Sequence, residues 1–132
     1  MKIAVSATGS SLDANVDPRF GRCSYFIIVE TEGNEIKGHE VVSNEAVQAM
    51  RGAGIQAAQT VANKGAEVLI TGNIGPNAFN VLSQTGIKVV TGVSGKVSEV
   101  VKKYLKGELK ETKQPTVGFG PGMGRGFGRW NR

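Results

Sequence analysis

The sequence predicts a three-layer α/β/α fold built on a five-stranded mixed sheet. Short, mostly apolar runs at 3–5, 68–70 and 87–90 carry the pattern of parallel strands buried on both faces. Segments with the apolar spacing of amphipathic helices separate and follow the last two runs. The chain has 132 residues and one cysteine, long enough for one domain core and unable to form an internal disulfide.

The elements follow in order. Ile3-Ala4-Val5 is a buried strand that breaks at Thr8-Gly9-Ser10-Ser11. Residues 7–23 form a long polar loop with Asp17-Pro18 as a turn. Tyr25 to Glu30 is aromatic and β-branched, the mark of a central strand. Gly33-Asn34 turns it into a more polar strand, Glu35 to Ser43, forming an antiparallel hairpin. From residue 44 the period changes. Gly52-Ala53-Gly54 opens a helix with Ile55, Ala58 and Ala62 on its inner face and Gly65 at its end. Val68-Leu69-Ile70 is the next strand, closed by Thr71-Gly72-Asn73. Gly75-Pro76-Asn77 starts a second helix, since proline suits a first turn whose amide would be unpaired anyway. Phe79 and Leu82 face inward, and Gly86 ends it. Ile87 to Val90 then runs into Thr91-Gly92. Ser94 is the expected cap of a last helix that buries Val97, Val100, Val101, Tyr104 and Leu105. Right-handed crossovers give the strand order 3-2-1-4-5, with strand 2 antiparallel.

The domain is expected to span residues 1–112, with 113–132 as a disordered appendage. Residues 118–128 place glycine at every second position, a composition that builds no core. The net charge of +5 divides accordingly. Lys113, Arg125, Arg129 and Arg132 leave twelve bases against eleven acids in the domain. That balance argues against a basic, duplex-binding face. Phe119, Phe127 and Trp130 among those arginines allow contact with a single strand, the third functional class considered. The lone thiol and the lack of any long apolar run point to a cytoplasmic protein without membrane attachment.

In an open α/β sheet, ligands sit beyond the carboxyl ends of the strands. That edge gathers Ser6-Ala7-Thr8-Gly9, Gly52-Ala53-Gly54, Thr71 to Asn77 and Thr91-Gly92. Two of these segments feed helix starts, whose free amides suit an anionic small ligand. The same glycines also close tight turns, whatever they bind. Gly52, Gly54 and Ala57 satisfy G-x-G-x-x-A, but the preceding strand ends near Ser43, too early for a dinucleotide turn. Ser6, Thr8 and Thr71 supply hydroxyls for chemistry on a phosphorylated substrate, the enzymatic alternative, without an evident base beside them. The strand order matches a ribonuclease H-like fold, yet the acids of a two-metal nuclease are missing. Cys23 and His39 are the remaining candidate metal ligands.

Three segments, DPRFGRCSYFIIVE (17–30), GAGIQAAQTVANKGAEVLITGNIGPNAFNVLSQTGIKV (52–89) and KKYLKGELKE (102–111), resemble the dinitrogenase iron–molybdenum cofactor biosynthesis family. The resemblance spans about residues 1–112 and implies a ribonuclease H-like, non-enzymatic domain. Such a domain would bind or carry an anionic iron–sulfur or iron–molybdenum-type cluster, with cofactor-assembly proteins as partners. Asp17, Arg19, Phe20, Gly21 and Cys23 match the family's R-F-G-x-C loop. Gly52, Gly54, Thr71, Gly72, Asn73, Gly75, Pro76 and Asn77 match its glycine-rich turns. The resemblance implies a Cys23 thiolate on iron, Arg19 against cluster charge and turn amides on sulfides. The chain departs from the family in having Cys23-Ser24 where many relatives have Cys-Pro, and Met123 as the tail's one soft ligand.

Overall fold

A computed structural model of the chain describes residues 1–48 and 52–116. Five strands form one sheet: β1 (Lys2–Ala7), β2 (Tyr25–Glu32), β3 (Glu35–Ser43), β4 (Val68–Ile70) and β5 (Lys88–Val90). The helices are α1 (Ala53–Asn63), α2 (Pro76–Gln84) and α3 (Val97–Leu105). The order β3-β2-β1-β4-β5 is the expected one. β2 runs antiparallel to β1 and β3, while β1, β4 and β5 are mutually parallel.

The register explains the two-sided core. Val5 faces Ile27 on one side and Ile70 on the other, and Leu69 faces Val89. Because neighbours along a strand point to opposite faces, Ala4, Ile28, Leu69 and Val89 pack with Ala57, Ala58 and Val61 of α1 and with Leu82 of α2. Ile3, Val5, Ile27, Val29, Val68, Ile70 and Val90 pack beneath Val97, Val100 and Val101 of α3. The result is a three-layer sandwich with two helices on one face and one on the other.

Two local expectations are corrected. Ile55 is 36% exposed, and α1 instead buries Ala53, Ala57, Ala58 and Val61. Small alanines on that face let α1 lie close to the sheet, which turns Ile55 outward. Lys96, not Ser94, is the residue before α3, and no side chain caps that helix. The long loop after β1 does so with its backbone: Val97 N donates to Ala14 O at 2.9 Å and Ser98 N to Leu12 O at 3.0 Å. A 3₁₀ turn at Glu45–Gln48, not anticipated, follows β3.

Candidate functional site

The three helix starts are treated differently, and that difference creates the site. The first amides of a helix have no partner within it. In α3 the loop carbonyls of Leu12 and Ala14 take them. α1 and α2 begin after Gly52 and Gly75, which offer no side-chain acceptor, and Pro76 occupies the first turn of α2. Both starts open into one cleft of about 470 Å³ at the carboxyl edge of the sheet, lined by Gly52–Ile55 and Asn73–Ala78. Its third wall is Pro18–Gly21. The size is that of a small-ligand pocket.

Close backbone approach holds the third wall in place. Asn73 N donates to Pro18 O at 2.8 Å, and Arg19 bridges to Asn73. A Cβ on Gly72 would stand 2.6 Å from Pro18 Cα, so only glycine lets these segments cross. Gly21 likewise lies against the start of α1, where a Cβ would meet Gly54 N at 3.1 Å. Beneath the loop, the Phe20 ring packs 5.3 Å from that of Phe26.

Arg19 is aimed from behind. Asp17, 2% exposed, accepts Arg19 N at 2.9 Å and Nε at 3.3 Å on Oδ1, and Nη2 at 3.3 Å on Oδ2. This fork leaves the Nη1 donors without a partner among the described residues, on a side chain that is 66% exposed at the cleft rim. Asp17 in turn is fixed by its backbone, whose N–H donates to Ser6 O at 2.8 Å. Ser6 Oγ lies 2.8 Å from both Asp17 O and Thr71 Oγ1.

The cleft therefore unites Arg19, Phe20, Gly21, Gly52, Gly54, Asn73, Gly75 and Asn77, with Asp17 behind them. Ser6 and Thr71 are fully buried below it, with Gly72 shaping the crossing. Thr8 lies outside the cleft, bonded to Asn15 O. Cys23 is fully buried under the loop, its thiol donating to Phe20 O at 3.2 Å. Burial, with Asp17 nearby, pushes that thiol up to about 12, so it is protonated at neutral pH. His39 is exposed on the outer strand β3, opposite Val29. Six residue steps along the chain separate Val29 from Cys23, about 20 Å at roughly 3.3 Å each. No group of three or more His, Cys, Asp or Glu residues among those described could hold a metal ion. The donor set fits recognition of an anion's outer oxygens or sulfides better than direct ligation of a metal.

Sequence reasoning missed Asn44. Buried after β3, it donates from Nδ2 to Gly21 O at 3.2 Å and Cys23 O at 2.9 Å, tying the loop to the hairpin. It also missed the apolar lining by Pro18 and Ile55, which carries no chemical signal.

Comparison with known proteins places the chain in a family. The family model described as dinitrogenase iron-molybdenum cofactor matches residues 1–107. The chain belongs to that family. An uncharacterised protein of Methanocaldococcus jannaschii is 40% identical over 111 residues, 84% of this chain and 91% of its own. The apo form of the orange protein from Desulfovibrio gigas superposes with a TM-score of 0.83 at 40% identity, covering 88% of this chain and 96% of that one. A NifB candidate from Thermotoga, solved by NMR, gives 0.72 at 35% identity, covering 88% and 98%. No helix among the described residues is long and apolar enough to cross a membrane.

Proposed function

We propose that this protein is a non-enzymatic carrier for an anionic iron–sulfur-type metallocofactor or its precursor, handed between cofactor-assembly proteins in the cytoplasm. The observation that carries the reading is the convergence of two helix starts and the Asp17-braced Arg19 on one cleft. Backbone amides, the positive helix ends and a guanidinium together favour a ligand of distributed negative charge. The apolar remainder of the lining suits a sulfide-rich surface more than a hydrated phosphate. Membership of the cofactor family supports the metallic cargo, as does a relative described in an apo form, a word used of proteins that take a bound group. The enzymatic alternative is weakened because Ser6 and Thr71 are buried and bonded to each other.

The test is anaerobic exposure to an iron–sulfur cluster donor, then desalting, iron analysis and visible absorption. Wild type should retain iron, Arg19→Ala should lose most of it, and Cys23→Ala should retain it. Wild type emerging without iron, or Arg19→Ala retaining as much as wild type, would overturn the reading.

A further inference from the structure

After α3 the chain returns across the carboxyl edge of the sheet, and two threonines fasten this strap there. Thr112 N donates to Val89 O at 2.6 Å, and Thr112 Oγ1 accepts Thr91 N at 3.0 Å. Thr116 grips Ile74 in the same manner. Its N–H donates to Ile74 O at 3.0 Å, while its Oγ1 accepts Ile74 N at 2.9 Å and donates to Ile74 O at 3.3 Å. Neither threonine lines the cleft, whereas Ile74 does. The family match ends at residue 107, so membership assigns these threonines no part. We propose that Thr116 is a positioning residue of the cleft, holding the turn that presents the start of α2 to an anion. The inference rests on the carrier reading and extends it to how the site keeps its shape.

The turn needs such a hold. Residues 71–75 link β4 to α2, and neighbouring segments fix them one after another. Thr71 N donates to Val90 O at 3.0 Å, Gly92 N to Gly72 O at 2.8 Å, and Asn73 N to Pro18 O at 2.8 Å. Ile74 comes next, and Thr116 takes both of its backbone groups. Gly75, the cap of α2, has extended backbone and makes no side-chain hydrogen bond to the helix. The direction of the first turn is therefore set one residue earlier, at Ile74, whose side chain is 1% exposed and anchored in the core. Pro115 fixes its own φ and restricts Gln114, which lowers the entropy cost of ordering the strap. An amide serves an anion best when it already points at the ligand, since a helix start that must be reordered on binding loses affinity to that reordering. Binding free energies are reciprocal, so an anion that draws on the held turn also tightens Thr116 on Ile74. The effect reaches a segment that does not line the cleft.

The experiment compares the full chain with full-length Thr116→Val and Thr116→Ser. Each is loaded anaerobically with a synthetic thiolate-ligated iron–sulfur cluster and held well below its melting temperature. Iron release is followed with a ferrous chelator, and hydrogen exchange of residues 112–116 is read by mass spectrometry before and after loading. The first substitution keeps the shape and the backbone bond but removes the hydroxyl; the second keeps the hydroxyl. Thr116→Val should release iron about fivefold faster, at the low end of couplings between distinct sites. Thr116→Ser should match wild type. Loading should slow exchange of the segment in wild type and leave it unchanged in Thr116→Val. Equal release from all three proteins, equally fast release from both variants, or loading that slows exchange equally in wild type and Thr116→Val, or in neither, overturns the positioning role and leaves the carrier reading intact. Failure of wild type to retain iron removes the carrier reading, and this inference with it.

Discussion

Cys23 has the sequence context of a ligand and the surroundings of a core residue. Its thiol donates to Phe20 O, while its own carbonyl accepts Asn44 Nδ2. Desolvation, then the Asp17 charge, pushes it up to about 12. Because the folded thiol titrates above its unfolded value of about 8.5, the native state holds the proton longer. Its contribution to stability is complete below about pH 8.5 and is lost as pH rises toward 12. Chemical unfolding between pH 8.5 and 11 should show a fall in stability that is shallower in Cys23→Ala. The difference in slope is at most about 1.4 kcal/mol per pH unit. Parallel slopes would remove the assignment. The R-F-G-x-C loop was legible because an Asp, an Arg and a Cys within seven residues carry chemistry on their face. Asn44 was not, since its partners are backbone carbonyls more than twenty residues away.

Among elements, the glycine-rich turns were readable as turns but not as walls. Gly72 has a buried backbone crossing against it, and the atoms it would strike belong to Pro18 Cα and O, which cannot rotate away. Gly75 is also in the cleft, yet a Cβ there meets nothing within 4 Å, and its φ of −85° is open to any residue. Sequence gives both the same weight; contact separates them. Gly72→Ala should push the Pro18–Gly21 wall off Asn73, costing about 1–3 kcal/mol by overpacking. Gly75→Ala should stay within about 0.5 kcal/mol of wild type. Thermal unfolding of the two variants side by side decides it, and equal melting temperatures would refute the crossing argument. The helix start at Pro76 was legible from the chemistry of proline. The capping of α3 was not, because Leu12 and Ala14 act through carbonyls that every residue possesses.

At the scale of the molecule, strand order was legible because short apolar strands between amphipathic helices admit few right-handed arrangements. The end of the folded unit was less so. Composition changes after Glu111, yet Thr112 and Thr116 hydrogen-bond Val89, Thr91 and Ile74 on the sheet edge. The sequence expectation ends the domain at 112; residues 117–132 of its tail lie outside the described residues. A chain ending at Thr116 and one ending at Glu111 therefore separate two ideas of the same boundary. The shorter chain loses three residue pairs of the strap: Thr112 with Val89, Thr112 with Thr91, and Thr116 with both backbone groups of Ile74. The cut strips the hydroxyl partners from Ile74 N and Thr91 N. A donor left without its partner costs about 1–3 kcal/mol, partly offset by the ordering the strap no longer requires. The expected net loss is about 1–2 kcal/mol, seen as a fall of roughly 3–8 °C in melting temperature for a domain of this length. Ending at Thr116 should leave the melting temperature unchanged, because Thr112 and Thr116 keep their hydrogen bonds to the sheet edge. A chain ending at Glu111 that melts with the full-length protein would make the strap an ornament of the sheet edge.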